Sequence, residues 1–422
     1  MHSEEWAMAI DFAKLPPKET VPDDRPSRLL WTVVFFAIAI IGVFSMLFLW
    51  PKGESTQTPW FWTCITVYPF GVAAFVLLRR YSIYKGCRLD AVAWNDAREN
   101  YVNEAFDRAS RPLGVLATTF RFASDAAEDD LGELLNGSVK LEPRIALKPD
   151  APPVNARWFE MPDKNEDGIR FRSDDERRHH VLAWAFSTLT DTVAEAVRSI
   201  PLDLRLNVQL LLPGISATDE ALAIWRRQWA RSDLRPVQVS LLPELADPMY
   251  VDEWLDRVNS RLDEEARLVV CVRLNTVLQA LPPDGSAEAA AAVLVAPEAV
   301  CQKFDLGPVA TLHRPNGMSN CSIDDALARA LRWGRAEPAE VKRIWQSGID
   351  AVSAGTTTQA VVKARIGAKV ENIDYMVGHA GAAAPWLAVA CAANAAVRDG
   401  APQLVTLGGK TGACFSVLRN VR

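Results

Sequence analysis

The residues of this chain that could support catalysis are few, and most of them stand apart from one another. The sequence has five histidines in 422 residues, and only His379 lies in a glycine-rich turn, GHAGAAA, that leads into an apolar helix. An imidazole in such a turn can act as a general acid or base, or it can simply stabilise the turn. His379 is therefore the one candidate catalytic residue, with a structural histidine as the alternative.

Cysteines are the other potential nucleophiles or metal ligands. None of them forms a CxxC pair, and no zinc-ligand spacing occurs. Their odd number and their scatter indicate free thiols in a reducing compartment, and those inside strands or helices are expected to be small buried apolar residues. The cysteines are Cys64, Cys87, Cys271, Cys301, Cys321, Cys391 and Cys414.

A possible calcium loop occupies residues 163–174, DKNEDGIRFRSD, which follow the pattern D-x-N-x-D-G. The candidate ligands are Asp163, Asn165, Asp167 and Asp174. The last of these is Asp rather than the longer Glu, Arg170 stands where an apolar residue should pack, and Pro162 ends any entering helix. A turn rich in Asp, Asn and Gly is the alternative interpretation.

Two further catalytic patterns are incomplete. The segment LGGKTG suggests a phosphate-binding loop, but Leu404 replaces the required earlier glycine, and ACFSVL after it has the composition of a strand rather than a helix. No G-x-S-x-G elbow of a hydrolase is present. The net charge of −6 gives no basic field for nucleic acid, and no cofactor motif occurs.

The elements that must position these residues begin with two uncharged apolar runs, Leu29–Trp50 and Trp60–Leu78. About 20 apolar residues in a helix span about 30 Å of hydrocarbon, so both runs are long enough to cross a membrane. We therefore predict a two-helix transmembrane hairpin over 29–78 that contacts lipid, after a tail over 1–28. A pair of buried helices in a soluble core is the alternative.

The orientation follows from the positions of Lys and Arg. Basic residues precede the first run and follow the second, whereas the connecting loop has only Lys52. Positive residues stay on the cytoplasmic side, so both termini should be cytoplasmic. The basic residues are Arg25, Arg28, Arg79, Arg80, Lys85 and Arg88. Residues 79–112 should form a juxtamembrane helix.

Residues 113–422 read as one α/β domain with halves at about 113–300 and 301–422. Apolar strands such as Leu204–Leu212 and Ala266–Asn275 alternate with amphipathic helices of ten to twenty residues, for example Asp174–Ile200. This alternation predicts a largely parallel sheet covered by helices on both faces. A hairpin over Gln403–Val421 is expected to end the domain.

Three segments of this domain resemble β-ketoacyl synthases. They are the glycine turn and helix of 377–400, the Gly-rich strand pair around LGGKTGACFSVL, and the strand ARLVVCVRLN followed by DGSAEAAAAVLVAP. The resemblance spans Leu113 to Val421 and implies the thiolase-like fold, a five-layer α/β duplication.

The resemblance also implies two catalytic positions that this sequence lacks. The nucleophilic cysteine of these enzymes would fall near ELADPMYVDEW, which has no cysteine, and their first histidine near WQSGIDAVSAGTTTQ, which has no histidine. Only His379 matches, in a turn one residue short. Because covalent acyl transfer needs a thiolate, we expect a degenerate fold that is not an enzyme.

The whole arrangement, a membrane hairpin before a thiolase-like domain, resembles the type VI secretion lipase adapter family of bacteria. That resemblance implies a non-catalytic adapter or chaperone at the inner membrane, with a protein effector and secretion-spike components as partners and a possible homodimer. Two alternatives remain open. One is an acyl-thioester transferase or condensing enzyme of the thiolase superfamily, and the other is an inner-membrane immunity protein.

Overall fold

The chain forms two compact units that divide between Asp107 and Arg108. A computed structural model describes residues 16–23, 25–160, 171–215, 217–243, 249–258, 265–318, 321–409 and 412–421.

The first unit is a helical hairpin of α1, Arg28–Leu49, and α2, Pro59–Ala109. The two helices approach closely at Gly42, where an added Cβ would lie only 2.7 Å from Pro69 Cβ. The rings of Trp50 and Phe61 meet edge to face at 4.9 Å. Both helices are long and apolar enough to cross a membrane.

The second helix continues without a break from the apolar run to Ala109, within the segment 79–112 that the sequence assigns to a juxtamembrane helix. Its last thirty residues are rich in charged and helix-forming residues, which favour continuation over a turn. The N-terminal tail pairs with this extension: the Asn95 side-chain amide donates to Glu19 O and accepts from Glu19 N, at 2.9 and 3.0 Å. Arg98 Nε also donates to Pro16 O at 2.6 Å.

The second unit consists of two halves with the same arrangement of strands. The strands of the first half are β1 Leu113–Arg121, β2 Pro143–Arg144, β3 Val154–Asn155, β4 Arg205–Leu211, β5 Gln238–Leu241, β6 Glu265–Arg273 and β7 Ala289–Pro297. Its helices are α3 Leu131–Asn136, α4 Asp174–Ser199, α5 Thr218–Arg231, α6 Met249–Val258 and α7 Glu298–Lys303.

The strands of the second half are β8 Ala310–Leu312, β9 Asn316–Gly317, β10 Arg343–Ser347, β11 Lys369–Asn372, β12 Gln403–Gly409 and β13 Gly412–Asn420. Its helices are α8 Ile323–Trp333, α9 Ala351–Lys363, α10 Ile373–Met376 and α11 Ala384–Asp399, with 3₁₀ turns at Pro338–Glu340 and Gly381–Ala383.

Strand order shows the duplication directly. The first half has the order β5-β4-β6-β7-β1 and the second has β11-β10-β12-β13-β8. If the five strands of each half are numbered 1 to 5 along the chain, both halves have the spatial order 3-2-4-5-1. The halves join where β1 pairs antiparallel with β8, Leu113 opposite Leu312. The two halves thus form one continuous sheet, and each half of it is called a sheet below. Both are mixed rather than largely parallel, since the hairpins β6–β7 and β12–β13 are antiparallel.

Helices and strands stack in five layers, and three apolar cores fill the space between them. Helices α4 and α5 cover the outer face of the first-half sheet, and α8 and α9 cover the outer face of the second. Between the two sheets lie α6 and α11, whose apolar residues share one core with strands of both halves. Because α11 is buried on nearly every side, it is Ala-rich, and the sheets can approach it closely. The predicted five-layer α/β duplication is confirmed.

Candidate functional site

A polar cluster lies at the carboxyl end of β10 in the second half. Ser347, the last residue of this strand, donates from Oγ to Asp374 Oδ1 at 2.7 Å, and the Gly348 amide donates to Asp374 Oδ2 at 2.7 Å. Asp374 lies in the first turn of the short helix α10, where the Asn372 side chain accepts from Tyr375 N. Both oxygens of the Asp374 carboxylate are therefore fixed by the end of the neighbouring strand.

His379 completes the cluster. Its Nδ1 lies 3.6 Å from Asp374 Oδ1, an ion-pair rather than a hydrogen-bond distance. The imidazole is 53% exposed, whereas the Asp374 side chain is 22% exposed. With Nδ1–H turned toward the carboxylate, Nε2 is left to accept a proton from solvent or a ligand.

The two groups shift each other's protonation. The Asp374 carboxylate raises the pKa of His379, and it outweighs burial and the positive charge of Arg273, which both lower that pKa. Burial acts to raise the pKa of Asp374, but interactions with His379, Ser347 and the Gly348 amide together outweigh it and lower the pKa. The pair thus favours an imidazolium beside a carboxylate.

Close backbone approach holds the cluster in place. Gly408 of β12 packs so tightly on Gly348 that an added Cβ would lie 1.7 Å from Gly348 O. Gly378, at φ 109°, brings the turn against the first half, where the His379 amide donates to Gly285 O at 2.8 Å and His379 O accepts from Ala287 N at 3.0 Å. Glycine is needed at both positions, because a side chain would displace a neighbouring backbone.

The start of α6 is where the ketosynthase resemblance implies a nucleophilic cysteine. Met249 occupies the first described position of this helix, and its Sδ lies 3.8 Å from Cys414 Sγ of β13. Cys414 is buried against the central layer. The Cys414 thiol of the second half therefore lies near the start of α6, where the first half has no cysteine.

Three of the buried thiols are not activated. Burial raises the pKa of both Cys271 and Cys391 far above the ordinary thiol range, and burial raises the pKa of Cys301 to about 11. A thiol with such a pKa is not a thiolate nucleophile at neutral pH. Cys271 and Cys391 thus occupy the apolar interior positions that their sequence context predicts.

Of the four predicted calcium ligands, Asp174 alone lies in the described part of the chain, and Asp163, Asn165 and Asp167 lie outside it. Asp174 is buried at the start of α4, where Oδ1 accepts from Val277 N at 2.8 Å and Oδ2 accepts from Gln279 N at 2.9 Å. Its carboxylate thus secures the loop after β6. Among the described residues no group of three or more acidic, His or Cys side chains could hold a metal ion.

His379 was the one residue of this cluster that the sequence offered as a candidate, and Ser347 and Asp374 were not singled out. Asp374 stands five residues before His379, a separation that carries no signal until α10 and its turn are in place. Ser347 is 27 residues from Asp374, and only the pairing of β10 between β11 and β12 brings the two together.

Solved ketosynthases share this fold. One structure, a type II PKS acyl-carrier protein in complex with its ketosynthase, matches at 10% identity over 74% of this chain and 99% of that chain, with a TM-score of 0.50. A ketosynthase from module 6 of the bacillaene synthase of Bacillus subtilis 168 matches at 11% identity over 74% and 70%, also with a TM-score of 0.50. Peroxisomal 3-ketoacyl-CoA thiolase of Saccharomyces cerevisiae matches at 9% over 74% and 98%, with a TM-score of 0.43.

Identities this low establish the fold alone, and the domain has the thiolase-like fold of ketosynthases. No protein-family model and no curated protein matches the chain by sequence. The prediction of a degenerate fold that is not an enzyme is corrected by these matches, because the two structures that share the fold at a TM-score of 0.50 are ketosynthases, which are enzymes. None of the three structures described above is a secretion adapter.

Proposed function

We propose that the chain is a membrane-attached enzyme of the thiolase-like class that transfers an acyl group from a thioester. This is the thiolase-superfamily alternative that the sequence left open. The observation that carries it is the half-exposed imidazole of His379 beside a carboxylate that is itself fixed on both oxygens. The shared fold with ketosynthases supports the same class.

In this proposal His379 acts as a general base and Asp374 as its positioning residue. His379 Nε2 removes a proton from the acyl acceptor, which is water when no other acceptor is present. The acceptor oxygen attacks the thioester carbonyl carbon, the C–S bond breaks, and the departing sulfur takes the proton from the imidazolium. The products are a carboxylic acid and a free thiol, and no cysteine is required.

Ser347 and the Gly348 amide act through Asp374. By donating to its two oxygens they keep the carboxylate ionised and oriented in a partly buried position. An ionised Asp374 is needed to hold Nδ1–H of His379 and to stabilise the imidazolium that forms during proton transfer. Ser347 is therefore a positioning residue in this proposal and not a nucleophile.

We also propose that the hairpin lies in the bacterial inner membrane with both termini cytoplasmic. The distribution of Lys and Arg around the two spans supports this topology. So does the pairing of Glu19 with Asn95, because a tail that contacts the extension of α2 must lie on the same side of the bilayer as that extension. No observation in the described part of the chain favours effector loading or immunity, so acyl transfer is the one function proposed. A homodimer stays a prediction.

The test is thiol release from acyl-CoA donors of increasing chain length by the full chain in detergent. We expect His379→Gln to lower the rate about 10²- to 10⁴-fold, the usual contribution of a general base. The matched control is His179→Gln, which removes an exposed imidazole whose Nδ1 contacts Glu220 at 2.7 Å on the surface of α4 and α5. This control should keep the wild-type rate. Equal rates for wild type and His379→Gln, or no release from any donor by wild type, would refute the proposal.

A further inference from the structure

Arg273 is the last residue of β6 and points toward the same site. It shares a face of the strand with Cys271, which belongs to the core between the two sheets. Cys271 Sγ lies 4.0 Å from Ala382 O, in the turn that follows His379. The end of β6 therefore brings a cation from the first half beside the histidine turn of the second.

Two glycine turns make room for the guanidinium. A Cβ at Gly214 would lie 3.1 Å from Arg273 Nη1, and a Cβ at Gly381 would lie 3.7 Å from Arg273 Nε. Both glycines have positive φ, 74° and 56°, which L side chains rarely adopt. The side chain is thus enclosed by backbone from the loop after β4 on one side and from the His379 turn on the other.

The guanidinium of Arg273 makes neither a hydrogen bond nor an ion pair with any group in the described part of the chain, so its charge is not balanced there. Buried arginines of the described chain have a carboxylate, since Arg177 contacts Glu288 at 2.6 Å and Arg157 contacts Glu128 at 3.1 Å. The half-buried Arg235 instead donates to the backbone oxygens of Pro201 and Leu204. A partly buried cation without a counter-ion is costly. An anion bound beside it would remove that cost, and a guanidinium presents a planar fork of donors that fits carboxylate and phosphate oxygens.

We infer that Arg273 binds an anionic group, a carboxylate or a phosphate, on the thioester that reacts at His379. This inference rests on the proposed function, since it names the substrate class of the same site. Arg273 also lowers the pKa of His379 by its positive charge, which places the two side chains within electrostatic reach. Neutralising Arg273 with a bound anion would remove this opposition and leave burial as the remaining effect that lowers the pKa of His379.

The experiment measures binding to the full chain in detergent, on the His379→Gln background so that no donor is consumed. The four probes are acetyl-CoA, succinyl-CoA and the corresponding S-acetyl- and S-succinyl-pantetheine, which lack phosphate. If the acyl carboxylate is recognised, Arg273→Gln weakens S-succinyl-pantetheine about ten- to a hundredfold and leaves S-acetyl-pantetheine unchanged. If phosphate is recognised, the same loss appears for acetyl-CoA but not for S-acetyl-pantetheine.

Two further variants separate charge from folding. Arg273→Lys keeps the charge and should recover part of the affinity, while Arg226→Gln removes an exposed arginine of α5 and should leave all four affinities unchanged. The inference is overturned if Arg273→Gln stays within twofold of its background for every probe, or if Arg226→Gln gives the same loss. Thiol release by wild type that does not depend on Arg273 overturns only the inference. Anion binding that needs Arg273, without thiol release, overturns only the proposed function.

Discussion

The two halves of the domain share one strand order and use their ionic groups in opposite ways. In the first half, Arg177 meets Glu288 with side chains that are 2% and 0% exposed, and Glu288 also accepts from Phe159 N and Asn275 N. In the second half, His379 meets Asp374 with side chains that are 53% and 22% exposed. We call the first cluster closed, because both of its side chains are buried, and the second open, because its imidazole is half exposed to solvent. Equivalent topology therefore does not imply equivalent roles, and exposure separates a structural ion pair from a candidate reactive one.

The largest expected effect is on stability, from Glu288→Gln in the closed cluster. This change leaves Arg177 charged, buried and without its carboxylate, so we expect the free energy of unfolding to fall by about 3–5 kcal/mol. Thermal unfolding of the full chain in detergent, followed by tryptophan fluorescence, measures it. Asp374→Asn is the matched change in the open cluster and should cost much less. Equal destabilisation by the two would remove the distinction between the halves.

The next largest effect is expected for Gly408→Ala, which tests the close approach of Gly408 to Gly348 beside the open cluster. The added Cβ would lie 1.7 Å from Gly348 O, so the β12 backbone or the turn after β10 must move. We expect a loss of about 1–3 kcal/mol in the same unfolding measurement, the usual cost of overpacking, together with loss of thiol release. Gly355→Ala is the control, since nothing lies within 4 Å of a Cβ there. Unaltered activity in Gly408→Ala would show that the turn is not needed for function.

Asp374→Asn should change the pH dependence of thiol release. The carboxylate raises the pKa of His379, so its removal lowers that pKa and moves the acidic limb of the rate profile to lower pH. The plateau rate should also fall at least tenfold, because Nδ1–H is no longer held. The stability linkage has the matching sign: the pair stabilises the fold below the unfolded pKa of His379, and this contribution is lost as the pH rises through its folded pKa. A limb that stays in place would exclude Asp374 as the partner.

The smallest effect is expected for Cys414→Ser, near the start of α6. Cys414 is buried and contacts Met249, and the proposed reaction uses no cysteine. Thiol release should therefore remain within about twofold of wild type, as expected for a substitution outside the reacting groups. Covalent labelling by an acyl donor that disappears in this variant would instead identify Cys414 as a nucleophile supplied by the second half.

Much of the fold was predictable because its signals are local. The apolar runs within 29–78 are longer than the uncharged stretches of ordinary core helices, and α4 begins after Ser173, whose side chain accepts from Glu176 N. The start of α9 at Ala351 also has a local signal, because the Asp350 side chain accepts from Val352 N and Ser353 N.

The sequence by itself determined the two long apolar helices, the alternation of strands and helices, and the glycine turn around His379, because each depends on residues close together in the chain. Tertiary structure alone decided what surrounds that histidine. Ser347, Asp374 and Arg273 reach it from separate elements, and one of them comes from the other half of the duplication. Their meeting depends on strand order and on glycine contacts between distant segments, which no short stretch of sequence encodes.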